Sequence, residues 1–211
     1  MKHVGFLIPA SNIVAERELY TRLVKDDISD VSFHFARLKF QTPYGLDEEK
    51  YTQELVDSIP TSLKELDRIK LCKSAVLCTS AEIFASNTEN LLFPLSSVIS
   101  YLKSINRFHP LIITPYNTCI GDAVTKKMQS SGIIISNEVH LDIKNKDDLI
   151  NFSNTQLIKL IKSKIDDNID SICVLCTNFS TYHLEADIEK EFNRPFISSN
   201  KAIYKSILQQ L

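Results

Sequence analysis

Ile172–Asn178, with the sequence ICVLCTN, indicates how this 211-residue chain folds. Its apolar residues run on without alternation and include β-branched side chains, which is typical of a strand buried on both faces of a parallel sheet. The run ends in a cysteine, a hydroxyl and an amide, so the strand carries a thiol to one edge of its sheet. The same tetrapeptide, VLCT, occurs earlier, in Ala75–Ser80. Two equivalent thiols indicate one site shared by two halves of the chain.

The neighbours of the two VLCT segments repeat as well. Pro94–Ile105 follows the first segment, and the similar Pro195–Ile207 follows the second. Upstream, Phe6–Asn12 and Leu111–Asn117 are both apolar runs broken by a proline and then an asparagine. Matched segments in the same order indicate an internal duplication, and a long-period repeat of this kind constrains the whole architecture.

Strand and helix patterns alternate along both halves. Strands are expected at Val4–Ile8, Ser32–Leu38, a segment ending at Cys78, Phe93–Ser97, Leu111–Thr114, Ile133–Ser136, Ser171–Thr177 and Phe196–Ser198. Helical spacing separates them, including a long stretch from Asp47 to about Lys70 that Pro60 interrupts. The pattern predicts an α/β fold of two pseudo-symmetric Rossmann-like halves, each a parallel sheet of about four strands flanked by helices. The halves are 1–106 and 107–199, with the last helix, about 200–211, packing back on the first half.

Composition limits the class of ligand. The formal charge is −2 and the basic residues are scattered, so the electrostatic footprint of a nucleic-acid binder is missing. Only four glycines are present and no phosphate-binding glycine motif occurs, so we expect no nucleotide cofactor. Five cysteines without a disulfide-scaffold spacing favour a reducing, cytoplasmic location. With no segment of about 20 apolar residues, no membrane span is expected. The ligand should therefore be a small molecule, neither a nucleic acid nor a membrane.

The carboxyl ends of the two VLCT strands are the candidate catalytic site. Ligands of open parallel sheets bind outside these strand ends, where Cys78 and Cys176 lie. Two thiols facing each other across a cleft suit chemistry on opposite faces of a planar carbon next to a carboxylate. Backbone N–H groups and polar side chains beside each sulfur would stabilise the developing negative charge. The polar side chains in question are Thr79, Ser80, Thr177 and Asn178. They could instead simply cap the helices that follow.

The remaining cysteines suggest no metal site. Cys173 and Cys176 are three residues apart on a strand, so their side chains point to opposite faces, and no second Cys-x-x-Cys supplies further ligands. We therefore expect no metal. Cys72 and Cys173 are expected to pack in the core, and Cys119 to lie at a helix start near the site.

Local patterns give three further expectations. Thr79 and Glu82 have the spacing of a capping box, which would place a helix N-terminus beside Cys78 and lower the pKa of its thiol. Asn12, at a strand-to-helix turn, could cap the helix or reach a ligand. Arg37, near a strand end, could clamp a carboxylate or form a surface ion pair.

Five segments together resemble a known family. They are Pro9–Asn12 followed by Glu16 and Glu18, Cys78–Ser80, Thr114–Tyr116, Cys176–Asn178 and Pro195–Ala202. This ordered set, which spans most of the chain, is similar to maleate cis-trans isomerase, of the aspartate/glutamate racemase superfamily, with arylmalonate decarboxylase as a relative. The resemblance implies a cofactor-independent enzyme of two Rossmann-like halves with the active site in the cleft between them.

The resemblance also implies roles for individual residues. Cys78 would be the nucleophile or base and Cys176 the acid, while Asn12 and Tyr116 would belong to the carboxylate pocket. Because the decarboxylases keep only the second cysteine, the presence of both argues against decarboxylation. The chain departs from the family in a shorter segment between Cys78 and Pro94. No clear counterpart of a further pocket asparagine is found among Asn145, Asn151 and Asn154.

Three functions remain open at this point. The leading hypothesis is cis-trans isomerisation of a small unsaturated dicarboxylate such as maleate by a two-cysteine mechanism. The first alternative is a cofactor-independent racemase or epimerase of an amino acid or hydroxy acid, with the same thiols acting as base and acid. The second is a non-catalytic ligand-binding member of the family. We expect a homo-oligomer, most simply a dimer.

Overall fold

The computed structural model describes residues 1–86 and 90–211. The first half of the chain contains β1 (Lys2–Pro9), α1 (Ala15–Lys25), β2 (Val31–Leu38), α2 (Glu48–Asp57), α3 (Ile59–Lys64), β3 (Lys73–Val76), α4 (Ala81–Phe84), β4 (Leu91–Leu92) and α5 (Pro94–Ser104). The second half contains β5 (Pro110–Thr114), α6 (Thr118–Ser130), β6 (Asn137–His140), α7 (Lys146–Ile150), α8 (Asn154–Lys164), β7 (Ser171–Val174), a 3-10 turn (Tyr182–Leu184), α9 (Glu185–Phe192), β8 (Phe196–Ser198) and α10 (Ser199–Gln210).

The strands form two parallel sheets with the same topology. The first sheet has the order β2-β1-β3-β4 and the second the order β6-β5-β7-β8. All their pairings are parallel, and the chain crosses between neighbouring strands through helices. The predicted fold class, two pseudo-symmetric α/β halves, is therefore confirmed.

The last helix of each half packs on the other half. Apolar side chains of α10, including Ile203 and Ile207, are buried in one core cluster with strands of the first sheet. Conversely, α5 buries Leu95 and Val98 in the core cluster of the second sheet. The division of the chain into domains near residue 106 stays a prediction. In space the two halves exchange these helices, so a boundary in the sequence does not separate the two cores.

Two predicted strands were misplaced. Phe93–Ser97 was expected to be the fourth strand, but β4 is Leu91–Leu92 and α5 begins at Pro94. Proline is suited to the first turn of a helix because its missing N–H needs no partner there. Ile133–Ser136 was expected to be a strand, but it connects α6 to β6, which pairs through Asn137 with Leu111 of β5. Apolar content alone therefore did not locate these two strands.

The long predicted helix from Asp47 to Lys70 is two shorter ones. The Asp47 side chain accepts a hydrogen bond from the backbone N–H of Lys50 and so caps α2, which ends at Asp57. Pro60 then lies in the first turn of α3. The segment between Cys78 and Pro94, which was expected to be shorter than in the family, includes residues 87–89, which lie outside the described residues. Among the helices described, none is long and apolar enough to cross a bilayer.

Candidate active site

The two motif cysteines lie at equivalent positions just beyond β3 and β7. The backbone N–H of Leu77 donates to the carbonyl of Leu7, and the N–H of Leu175 donates to that of Ile113, so each chain leaves its sheet in the same way. Both sulfurs line one small cleft between the sheets. Among the described residues, its lining consists of Pro9, Ser11, Asn12, Tyr44, Tyr51, Cys78, Thr79, Ser80, Tyr116, Leu149, Cys176, Thr177 and Asn178.

The cleft suits only a small ligand. Its volume is about 40 Å³, a few times the minimum that holds one water molecule, roughly 10–15 Å³. Both sulfurs are at its wall with little exposure, since Cys78 and Cys176 are each 8% exposed. A ligand in the cleft would therefore contact both thiols in surroundings from which most water is excluded.

Each sulfur faces backbone N–H groups of the turn that follows it. For Cys78 these belong to Ser80 and Ala81, and the Ser80 hydroxyl lies 3.5 Å from the sulfur. They lower the pKa of the thiol, but the larger effect of burial raises it above its ordinary value. The expectation of a lowered Cys78 pKa was therefore wrong. Helix α4 is only four residues long, and its N-terminus does not outweigh the desolvation.

Cys176 has equivalent surroundings, and its pKa is raised as well. Burial is the main cause that raises its pKa to about 12, and the nearby Cys78 sulfur adds to the rise. The backbone N–H groups of Asn178 and Phe179 and the hydroxyl of Tyr116 oppose it. Because a charge on one sulfur disfavours a charge on the other, the two thiols titrate as a coupled pair and lose their protons in two steps.

Asn12 both caps α1 and joins the two halves. Its side-chain oxygen accepts from the backbone N–H of Val14 and Ala15, each at 3.0 Å. Its amide nitrogen donates to the Thr177 hydroxyl at 3.0 Å. The backbone N–H of Ile13 donates to the Asn178 side-chain oxygen at 3.1 Å. These bonds hold the end of β1 against the Cys176 turn.

Thr79 makes no capping box. Its hydroxyl lies 2.9 Å from that of Ser199, whereas the Glu82 side chain accepts from the backbone N–H of Ser96 and pairs with Lys127. The capping box predicted for Thr79 and Glu82 was therefore wrong, and Thr79 instead links the Cys78 turn to the start of α10. Tyr116 is buried in the cleft wall, and burial raises its pKa well above the ordinary value. Its hydroxyl is therefore a neutral donor.

Five residues that line the cleft were not predicted from the sequence as site residues: Pro9, Ser11, Tyr44, Tyr51 and Leu149. The Ser11 and Tyr51 hydroxyls lie 2.9 Å apart. Pro9 and Ser11 were within the quoted Pro9–Asn12 motif, so proximity to Asn12 could have indicated them. Tyr44, Tyr51 and Leu149 come from a loop, from α2 and from α7, where no motif marks them.

The other candidate carboxylate ligands lie outside this lining. Arg37 pairs with Glu16 at 2.7 Å on the surface, which is the ordinary role of such a residue. Asn145 caps α7, Asn151 follows it, and Asn154 lies 3.1 Å from the His183 ring on the surface. None of these three asparagines lines the cleft, so none supplies the additional carboxylate-binding amide that the resemblance implies. The residue of α7 that does line the cleft is Leu149.

The other cysteines take three different positions. Cys173 is fully buried in the core, as expected. Cys119 lies in the first turn of α6, where its sulfur donates to Glu49 at 2.9 Å. Cys72 was expected in the core but is exposed, because it precedes β3 at the other end of the sheet.

One group of potential metal ligands lies at the end of β6, away from the cleft lining. The His140 Nε2 atom is 3.5 Å from the Asp122 carboxylate and 3.9 Å from that of Glu138. These are ion-pair distances between a buried ring and exposed acids. The group shares no residue with the cleft, so it has no part in the chemistry of the two thiols.

Comparison with known proteins identifies structural relatives. No family model matches the chain. A curated maleate isomerase from Nocardia farcinica is 22% identical over 232 residues, which cover 100% of this chain and 90% of that protein. The solved structure of Nocardia farcinica maleate cis-trans isomerase with a covalently bound succinylcysteine intermediate has a TM-score of 0.88 at 16% identity, with 99% of this chain and 92% of that chain covered.

Two further structures extend the comparison. Pseudomonas putida maleate isomerase, solved with maleate, has a TM-score of 0.87 at 17% identity and covers 98% of this chain and 90% of its own. Arylmalonate decarboxylase has a TM-score of 0.74 at 14% identity, with 99% and 92% covered. The chain therefore has the fold of maleate isomerase and arylmalonate decarboxylase, two enzymes of the aspartate/glutamate racemase superfamily, and the resemblance indicated by its motifs is confirmed.

Proposed function

We propose that this protein catalyses the cis-trans isomerisation of a small unsaturated dicarboxylate such as maleate. One observation carries the proposal: two buried thiols, at equivalent strand ends and with equivalent backbone donors, line a single small cleft. Such an arrangement lets one sulfur attack a planar carbon while the other handles a proton on the neighbouring carbon. A large substrate would not fit.

The proposed reaction begins with the pair holding one proton, Cys78 as thiolate and Cys176 as thiol. The Cys78 sulfur adds to one alkene carbon, and the electron pair of the double bond moves toward the other carbon and its carboxylate. Cys176 donates its proton to that carbon, which leaves a succinyl thioether on Cys78. Rotation about the new single bond precedes the reverse steps: the Cys176 thiolate removes a proton, the C–S bond breaks, and the trans acid is released.

The coupling between the two thiols supports a pair that holds one proton, because a charge on one sulfur raises the pKa of the other. The assignment of that charge to Cys78 and of the proton to Cys176 is the one that the family resemblance implies. The N–H groups of Ser80 and Ala81 and the Ser80 hydroxyl stabilise that thiolate. The developing carboxylate charge would be met by the neutral hydroxyl of Tyr116 and by Thr79.

The relatives support the same chemistry. The Nocardia farcinica enzyme is described with a covalently bound succinylcysteine intermediate, and the Pseudomonas putida enzyme with maleate. A succinylcysteine is the product expected when a cysteine sulfur adds to maleate and the neighbouring carbon gains a proton. The ligand of this protein would accordingly be a small dicarboxylate.

Separate substitutions of the two cysteines test the proposal. Maleate turnover, followed by ultraviolet absorbance, should fall by at least about 10²-fold in Cys78→Ser and in Cys176→Ser. In Cys176→Ser, which keeps the nucleophile, intact-mass spectrometry should detect an adduct of one maleate on Cys78. Cys72→Ser is the matched control because Cys72 is exposed and outside the cleft lining. Wild-type turnover in both active-site variants would refute the mechanism.

Racemisation or epimerisation is the second candidate, because the equivalent surroundings of the two sulfurs also suit proton removal on one face and return on the other. Incubation in deuterium oxide with a panel of amino acids and hydroxy acids distinguishes it. Deuterium incorporation at the α-carbon of one of these acids, without maleate turnover, would favour a racemase. Maleate turnover without such exchange would favour the isomerase.

A further inference from the structure

The cleft recognises an anion without a cation in its wall. Among the described residues that line it, none is a lysine or an arginine. Each substrate carboxylate must therefore be bound by neutral donors, which are hydroxyls, amides and backbone N–H groups. Several of these donors already have partners within the protein: the Ser11 and Tyr51 hydroxyls bond each other, and the Asn12 amide bonds Thr177.

The hydroxyl of Tyr44 differs from these donors because it is unpaired within the described part of the chain. Its oxygen is buried, yet it has no hydrogen-bond partner among the described residues. A buried unpaired hydroxyl is destabilising, and native proteins rarely keep one without a reason. Burial raises the pKa of Tyr44 far above its ordinary value, and the neighbouring Cys176 adds more to that rise than Cys78 does. The hydroxyl is therefore a neutral donor, and the Tyr44 side chain packs against both the core cluster that contains Cys176 and the one that contains Cys78.

The loop that carries Tyr44 is anchored on both sides. Glu54 of α2 accepts hydrogen bonds from the backbone N–H groups of Gln41 and Thr42, at 2.7 and 2.8 Å. The Tyr44 ring packs edge-on against the Tyr51 ring, with centroids 5.7 Å apart and planes at 90°. Tyr44 therefore does not swing freely into solvent.

Gly45 brings the same loop against the other half of the protein. It has φ of +82°, and a Cβ at this position would overlap the backbone carbonyl of Lys144. Lys144 leads into α7, which carries the cleft residue Leu149. The close approach of Gly45 to Lys144 thus holds the loop at the cleft, which Tyr44 lines.

We infer that Tyr44 is a substrate-binding residue whose hydroxyl donates a hydrogen bond to one carboxylate of the substrate in the cleft. The inference rests on the proposed function, since it names a carboxylate recognition residue of the same site. The bond would satisfy the buried hydroxyl and compensate for the missing cation. It also gives the β2–α2 loop a specificity role, because a substrate lacking the second carboxylate would leave this donor unpaired.

Tyr44→Phe tests the inference because it removes the hydroxyl and keeps the ring. A hydrogen bond to a charged group is strong enough that kcat/KM for maleate should fall by about 10- to 100-fold, mainly through a higher KM. The melting temperature of the ligand-free variant should stay the same or rise, since an unpaired buried hydroxyl has been removed. Inhibition by succinate should weaken by a similar factor, whereas inhibition by butyrate, which has one carboxylate, should change less.

Tyr101→Phe, which removes a hydroxyl on α5 outside the cleft lining, is the matched control and should leave kcat/KM unchanged. If the wild-type protein turns over maleate and Tyr44→Phe retains its KM and its succinate inhibition, the role of Tyr44 is refuted while the proposed function stands. If the wild-type protein neither turns over maleate nor gains thermal stability with maleate or succinate, the proposed function fails and this inference with it.

Discussion

Cys78 and Cys176 have equivalent positions in the two halves and titrate as a coupled pair. Both are desolvated, and both face two backbone N–H groups of the following turn. A hydroxyl also lies beside each sulfur, that of Ser80 at Cys78 and that of Tyr116 at Cys176. Because a charge on one sulfur raises the pKa of the other, the pair loses its protons in two steps, and the proposed mechanism assigns the first step to Cys78.

Iodoacetamide labelling across a pH series checks this asymmetry. Because burial raises the pKa of Cys78, its labelling should reach half its maximum rate above pH ~8.5, the pKa of a free thiol. In the proposed mechanism Cys176 keeps the second proton of the pair, and its pKa is raised to about 12, so its labelling should follow only at higher pH. Exposed Cys72 should react first and buried Cys173 last. Mass-spectrometric mapping gives the order of labelling.

Succinate should slow the labelling of Cys78 and leave that of Cys72 unchanged, because Cys78 lines the cleft and Cys72 does not. Labelling of Cys78 well below pH 8.5 would show that the helix start and its N–H groups outweigh desolvation. Equal labelling of all five cysteines, with no protection by succinate, would favour a non-catalytic protein.

At the scale of elements, the loop between β2 and α2 joins parts of the site that are distant in sequence. It leaves the first sheet at Leu38, passes over the cleft with Tyr44, contacts the second half through Gly45 and enters α2 at Asp47. Only a glycine permits both the positive φ and the close approach to Lys144. The loop's position, and hence that of Tyr44, depends on this contact.

Gly45→Ala should therefore destabilise the protein by about 3 kcal/mol or more, because it adds overlap with a backbone carbonyl to the strain of a left-handed alanine. It should also raise the KM for maleate, since Tyr44 would be displaced. Gly132→Ala is the matched control: Gly132 has φ of +85°, but a Cβ there has nothing within 4 Å.

The control should lose only about 1–2 kcal/mol, the cost of the backbone conformation alone, and should keep the wild-type KM. Urea denaturation measures both stabilities. Equal losses in the two variants would mean that the Lys144 contact contributes nothing and that the loop relaxes away from it.

At the scale of the whole molecule, buried polar groups between α1 and the segments that follow β7 and β8 hold the two halves together. The Glu18 carboxylate is 2% exposed and accepts from the backbone N–H groups of Thr181 and Tyr182 and from the Asn200 amide. The Asn200 amide also donates to the Thr177 carbonyl at 3.0 Å. Nearby, Arg22 forms a buried ion pair with Glu185. The turn that follows Cys176 is thus fixed by a residue of the first half.

Glu18→Ala should cost roughly 3–5 kcal/mol of unfolding free energy, because it leaves buried donors unpaired. It should also lower maleate turnover by displacing the Cys176 turn. Glu16→Ala, on the same helix, should cost less than about 1 kcal/mol, since Glu16 pairs with Arg37 at the exposed surface. Chemical denaturation measures the unfolding free energy of both variants, and an unchanged m-value would show that only the stability differs. A loss in Glu18→Ala as small as that in Glu16→Ala would contradict the role of this network.

Much of the architecture follows from local patterns that the chain carries twice. The VLCT segments, the apolar runs broken by proline and asparagine, and the alternation of strands with helices predicted two parallel α/β halves, because side-chain periodicity reports which faces of an element are buried. The thiols at the strand ends were predicted for the same reason. Short elements were located less well: β4 has two residues and lies before the predicted segment.

The tertiary structure alone decided how distant segments meet. Tyr44, Tyr51 and Leu149 line the cleft because a loop and two helices fold over it, and no local pattern records that approach. The exchange of α5 and α10 between the two cores likewise depends on packing across the halves. The pKa of Cys78 differs from the expectation for a similar reason. The helix start beside it is a local feature that the sequence records, whereas desolvation is produced by all the segments that surround the sulfur. Desolvation has the larger effect on the pKa.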